Sequence, residues 1–117
     1  MIYIPGTSSN KTRVVDGVEI NTYISKIGEL GNSLGIEAGT NGYWGESGRI
    51  FFGLSDLGGA NLQAMVDKNV FVEHGDGTIA EIMISGDSGI RMFIKSLRWT
   101  LDTIERLLEH QRRGDIL

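Results

Sequence analysis

Apolar positions change their period along this chain. From Arg49 to Ser85 they recur in short runs broken by glycine and polar residues, and from Ile90 to Leu108 they recur every three to four residues. The first pattern predicts four strands: Arg49 to Leu57, Asn61 to Val66, Val70 to His74 and Thr78 to Ser85. Their turns fall at Gly58-Gly59-Ala60, Asp67-Lys68-Asn69 and Gly75-Asp76-Gly77. Short turns make neighbours in sequence neighbours in a sheet, so an antiparallel meander is expected. Alternation puts Ile50, Phe52, Leu54, Leu62, Ala64, Val70, Val72, Ala80, Ile82 and Ile84 on its core face, while Phe51, Phe71 and Met83 leave the other face partly apolar.

The second pattern predicts a helix from Gly86-Asp87-Ser88 to about Arg112. Asp87 is its candidate cap and Gly114 lies just past its end. Ile90, Phe93, Ile94, Leu97, Leu101, Ile104, Leu107 and Leu108 form one stripe. At 1.5 Å per residue the helix runs roughly 37 Å, more than a small sheet needs as cover, so its distal half is expected to pack on another subunit.

Upstream, Asp16-Gly17 between two β-branched runs is a two-residue hairpin signal, though the same stretch also serves as the lead-in to a helix. Tyr23, Ile24, Ile27, Leu30 and Leu34 follow helical spacing, with Asn21 as cap and Gly35 as stop. The expectation is a hairpin or turn followed by a short helix, although Gly28 and Gly31 would weaken that helix by about 1 kcal/mol each. The glycine-rich stretch from Ile36 to Gly48, around Tyr43 and Trp44, reads as an irregular loop. The fold class is therefore α+β: a meander of about four or five antiparallel strands with a short N-terminal and a long C-terminal helix. Residues 1–117 form one domain, with no repeat and no linker.

Composition narrows the chemistry. A net charge of −4 argues against binding bulk nucleic acid, yet six of the 11 basic residues lie from Arg91 onward, enough for a local anion site. Cysteine is absent, which removes disulfides and thiolate chemistry. Neither a leader nor an apolar run long enough to span a membrane is evident, so a cytoplasmic protein is expected. His74 and His110 lack metal-site spacing, and Asp56, Asp67, Asp76 and Asp87 sit at turns or caps, where aspartate bonds backbone amides. No serine motif completes a nucleophile elbow. No catalytic set, metal site or cofactor is expected.

What remains is binding. Asn41, Tyr43, Trp44 and Arg49 combine an amide, two stackable rings and a cation, a set suited to a nucleotide. Tyr43 and Trp44 serve equally well as anchors to the core or to a subunit interface. Gly86 and Ser88 at the helix start, with Arg91 one turn in, offer N–H donors and a positive dipole end to a phosphate. Replacing Arg91 with alanine tests that role.

The runs Gly39-Thr40-Asn41-Gly42-Tyr43-Trp44-Gly45, Asp56-Leu57-Gly58-Gly59, and Ile84-Ser85-Gly86-Asp87-Ser88 leading into Phe93-Ile94-Lys95-Ser96-Leu97 resemble small proteins of phages and prophages of Gram-positive bacteria. In its strand-then-long-helix layout the chain is similar to the anti-defence sponges that counter Thoeris or CBASS immunity. The resemblance implies a homo-oligomer that sequesters a small nucleotide-derived signal, a cyclic oligonucleotide or cyclic ADP-ribose, without converting it. The alternative is a phage interaction or structural module that binds a protein through its sheet face and long helix.

Overall fold

The computed structural model describes residues 6–66, 71–77 and 79–114. Seven strands and one helix follow in chain order: β1 (Thr7–Val15), β2 (Val18–Glu29), β3 (Asn32–Thr40), β4 (Arg49–Gly58), β5 (Gln63–Val66), β6 (Phe71–His74), β7 (Ile79–Ser85) and α1 (Asp87–Arg112), with a single 3₁₀ turn at Gly45–Ser47 before β4. The α+β class, the antiparallel sheet and the long C-terminal helix are as expected.

The short N-terminal helix is not there. Residues 18–40 are instead a hairpin of two long strands. Asp16-Gly17 turns β1 into β2, and Leu30-Gly31 turns β2 into β3; both turns hold two successive residues at positive φ (46° and 79°, then 53° and 84°), the geometry that matches the twist of a hairpin. Leucine is an uncommon occupant of that region, which hides the second turn from the sequence. The helical spacing through Tyr23, Ile27, Leu30 and Leu34 is coincidental: Leu30 is a turn residue pointing into solvent, 94% exposed. The long loop from Ile36 also shortens, because β3 continues to Thr40.

The main sheet has five strands in the order β1-β2-β3-β4-β7, all neighbours antiparallel. β5 and β6 pair only with each other, so they form a separate hairpin inserted between β4 and β7 rather than the middle of a meander. The expected turn at Asp67-Lys68-Asn69, like Val70 and the side chain of Val72, lies outside the described residues. Asp56 organises the insertion. Its carboxylate accepts N–H bonds from Gly58, Ala60 and Leu62 at 3.0–3.2 Å, and its carbonyl accepts one from Gly77. Those amides, that of Leu62 foremost, hold the Asp56 carboxyl below the usual carboxylate range, against the opposing effect of desolvation.

The sheet coils so that β1 approaches β4 and β7 across its concave face. Val15, Ile20 and Phe51 fill that face, with Val18 packed beside them. Phe51 is therefore more deeply buried than the described residues that alternation places on the core face, and among those Ile82 is half exposed. Gly39 permits the coil: a Cβ there would lie 2.3 Å from the carbonyl oxygen of Asn21 and 2.7 Å from Thr22 Cα, a backbone clash that no rotamer relieves. Polar groups on the same face are paired. Arg13 grips Glu37 through Nε at 2.7 Å and through Nη2, lies 3.7 Å from Glu81 on β7, and stacks over the Phe51 ring at 4.7 Å; Thr22 donates to Glu37 as well. The Arg13 hydrogen bond is the main reason the Glu37 carboxyl is held low and the Arg13 guanidinium high.

α1 crosses the convex face at its N-terminal end. Ile90 is buried there with its side chain against Gly48, and the Phe93 ring meets the Phe52 ring at 5.9 Å. Gly86, not Asp87, is the N-cap residue, and no side chain caps the helix. The C-terminal end agrees with expectation, closing at Arg113 and Gly114.

Candidate functional site

Two surfaces carry chemistry, and they meet at the start of α1. The first is the corner formed by residues 41–49 and the first turns of α1, where most of the residues singled out in the sequence come together. Asn41 is its organiser: the side-chain oxygen accepts the Arg49 N–H at 2.7 Å, the side-chain nitrogen donates to the Ser47 carbonyl at 3.0 Å, and the carbonyl accepts Trp44 Nε1 at 2.6 Å. With both ends of its amide occupied inside the loop, Asn41 shapes the corner instead of presenting an edge to a base.

Arg49 is likewise an internal brace. Only 7% exposed, it donates to the carbonyls of Val15, Asp16, Glu46 and Gly48, so four of the five N–H donors of a guanidinium are directed at backbone. It ties the β1–β2 turn to the start of β4 and has no fork free for a phosphate.

The helix start differs from the anion cradle expected of Gly86 and Ser88. The Gly86 N–H is committed to the Gly48 carbonyl at 2.8 Å. Asp87 places a carboxylate at the positive end of the helix, where one oxygen accepts the Gly45 N–H at 3.0 Å and the other is enclosed without a hydrogen-bond partner. A second anion at that spot would face this charge. Ser88 is exposed beside it.

Tyr43, Trp44 and Arg91 remain outward-facing. Tyr43 is 54% and Trp44 67% exposed, and the Arg91 guanidinium lies 5.8 Å from the Tyr43 ring centroid. The structure thus brings Tyr43 and Arg91 together, turns Arg49 inward, and leaves Trp44 as an open ring on the same corner.

The second surface did not emerge from motif reading. Between the convex face of the sheet and the first half of α1 lies an open groove of about 810 Å³, lined mainly by apolar side chains including Ile36, Phe52, Phe93, Ile94 and Leu97, with Asn21 and Tyr23 among its polar members. From Leu97 outward the helix leaves the sheet, and its stripe continues into solvent: Leu101, Ile104, Leu107 and Leu108 are each 47–60% exposed. The sequence signal for this surface was the length of the stripe relative to the sheet.

Among the described residues no cluster of three or more histidine or acidic side chains is placed to hold a metal ion, and no helix is long and apolar enough to cross a membrane. The chain matches no family model, no curated protein and no solved structure.

Proposed function

We propose that this chain is an interaction module whose working surface is the groove together with the exposed half of α1, and whose partner is a polypeptide. The observation that carries this reading is the continuity of the two: an apolar stripe that begins against the chain's own sheet and runs on uncovered for three more turns. Contiguous apolar surface of this kind costs solubility unless a partner removes it from water, at roughly 25 cal/mol per Å² buried. Binding of this sort needs no catalytic group. In the phage setting that the sequence resembles, it takes place in the host cytoplasm.

A photoreactive side chain in place of Leu107, activated in cells producing the protein, tests the reading. Capture of a polypeptide there, and none from the same side chain at Lys26, is the expected result; the absence of any polypeptide adduct at Leu107 sinks it.

Sequestration of a small nucleotide-derived ligand is the second reading. It is favoured by the outward corner of Tyr43, Trp44 and Arg91, where two rings and a guanidinium stand free to stack a base and meet a phosphate. A ligand that binds the folded state raises the unfolding temperature in proportion to the logarithm of its concentration. A thermal-shift screen against cyclic dinucleotides, cyclic trinucleotides and cyclic ADP-ribose isomers checks it, with Arg91→Ala expected to abolish any shift.

A further inference from the structure

The proposed interaction module leaves the identity of the partner open, and α1 itself narrows it. Ile90, Ile94, Leu97, Leu101, Ile104 and Leu108 are separated by four, three, four, three and four residues. That is an a/d spacing over nearly three heptads, flanked at the g edge by Phe93 and Leu107; its first members lie at the chain's own sheet and the later ones are open. We infer that the occupant of the exposed seam is the α1 of a second copy of this chain, packed antiparallel about a two-fold axis. This inference rests on the reading of α1 as a docking surface and adds the partner and its direction.

Three observations fix the arrangement. Antiparallel packing sets each a position against a d position; Ile90 is taken by its own chain, and the register centred on the helix sets Ile94 against Ile104 and Leu97 against Leu101. Each pair is symmetric about residue 99, and the helix Asp87–Arg112 has its midpoint beside that residue. A two-fold interface must be complementary to itself, and these apolar pairs meet that condition.

The second observation is charge. Arg91, Arg98 and Glu105 occupy the e edge of the seam. In this register Glu105 of the second copy lies between Arg91 and Arg98, and the reciprocal contact forms at the other end of the same edge, with the two copies of Arg98 side by side at the two-fold axis between them. Within its own chain Glu105 has no ion-pair partner among the described residues, and neither does Arg98; the neighbouring acids Asp102 and Glu109 are taken by Arg106, Arg112 and Arg113. Parallel packing instead sets the e edge against the g edge, where Phe93, Thr100 and Leu107 offer these charges nothing.

The third observation concerns that g edge. Phe93 is the residue by which α1 touches Phe52, so the g edge faces the sheet. Antiparallel pairing brings Leu107 of the second copy alongside Phe93, at the groove that Phe93, Ile94 and Leu97 already line. The outer half of each helix thereby covers the open groove of the other copy.

Absence of native cysteine allows a direct test with the full chain. Ile94→Cys and Ile104→Cys are made singly, oxidised separately, and oxidised as a mixture. In the antiparallel dimer residue 104 of one copy stands about 15 Å along the axis from residue 104 of the other, too far for a disulfide. Neither variant then links to itself, and the mixture gives the crossed dimer. Self-linking of Ile104→Cys would mean parallel packing and overturns the inference.

Sedimentation of the uncrosslinked proteins supplies the second readout, independent of the engineered thiols. Glu105→Arg makes the e edge wholly basic and raises the dimer dissociation constant by at least about tenfold. Arg91→Glu, Arg98→Glu and Glu105→Arg together restore it. A monomeric wild-type chain, or failure of the triple reversal to rescue, overturns the pairing. If the photoreactive side chain at Leu107 captures a different polypeptide, the interaction module stands and the second copy is excluded; if it captures none, the broader reading falls as well.

Discussion

Inside the coiled sheet, Arg13, Glu37, Thr22 and Arg49 are held among Val15, Ile20 and Phe51, and each has a polar partner within the same chain. On the outer half of α1, Leu101, Ile104, Leu107 and Leu108 stand in water, and Arg98 and Glu105 have no ion-pair partner among the described residues. The inversion separates the part of the chain that specifies its own fold from the part left to something else. Buried charge that is fully hydrogen-bonded at home serves the scaffold, whereas apolar surface arranged in an unbroken register and left open serves recognition.

Variants at the two regions should differ accordingly, and the largest loss is expected at Gly39. Gly39→Ala forces a Cβ into the Asn21 carbonyl, and urea denaturation should show a loss of about 3 kcal/mol or more, if the variant folds at all. A smaller loss would mean that the coil relaxes, and that the concave face is less constrained than its packing implies. Arg49→Met should come next at about 2–3 kcal/mol by the same measurement, because it strands the carbonyls of Val15 and Asp16.

Acid should act on the scaffold through two carboxylates. Asp56 and Glu37 both titrate below their ordinary range in the folded protein. A depressed folded-state value means that their contribution is complete above the unfolded-state value and is lost as pH falls through the folded one. Stability should therefore hold down to about pH 5 and decline below it. Asp56→Asn should blunt the decline and lower amide protection at Gly58, Ala60 and Leu62, as read by hydrogen exchange; an unchanged acid profile would remove Asp56 from the explanation. The smallest effect is expected from Leu101→Ala. Measured at high dilution, it should shift the stability of the isolated chain by no more than about 0.5 kcal/mol. A larger shift would dissolve the contrast, since it would place the outer half of α1 on its own sheet.

Much of this architecture was legible from residue spacing, because β4, β7 and α1 each carry a period matching their final state. The N-terminal third misled for a physical reason. In Val18, Ile20, Thr22 and Ile24 the strand alternation was present, but Tyr23, Ile27, Leu30 and Leu34 overlaid it with a three-to-four spacing, and no glycine or asparagine marked Leu30 as the first residue of a turn. The inserted hairpin was hidden because nothing local distinguishes a strand that continues a sheet from one that leaves it; the distinction lies in the Asp56 side chain and the amides it gathers.

At the corner site, residue type alone could not tell an outward guanidinium from an inward one. Arg49 looked like a free cation because its four carbonyl partners are backbone groups, two of them more than thirty residues away. Tyr43, Trp44 and Arg91 kept their open positions.

The insertion of β5 and β6 also sets the order in which the sheet can form. β1 through β4 join by two tight turns and one short loop, so their contacts close over small separations and form early. β7 reaches β4 only after the chain has travelled from Ser55 to Ile79, its nearest register partner, and that closure costs more entropy than any other in the sheet. β7 and α1 should accordingly be the last elements to dock, with substitutions at Ile84 speeding unfolding while leaving the folding rate nearly unchanged. During synthesis α1 leaves the ribosome after all seven strands, so its exposed seam appears only once the scaffold beneath it is ready.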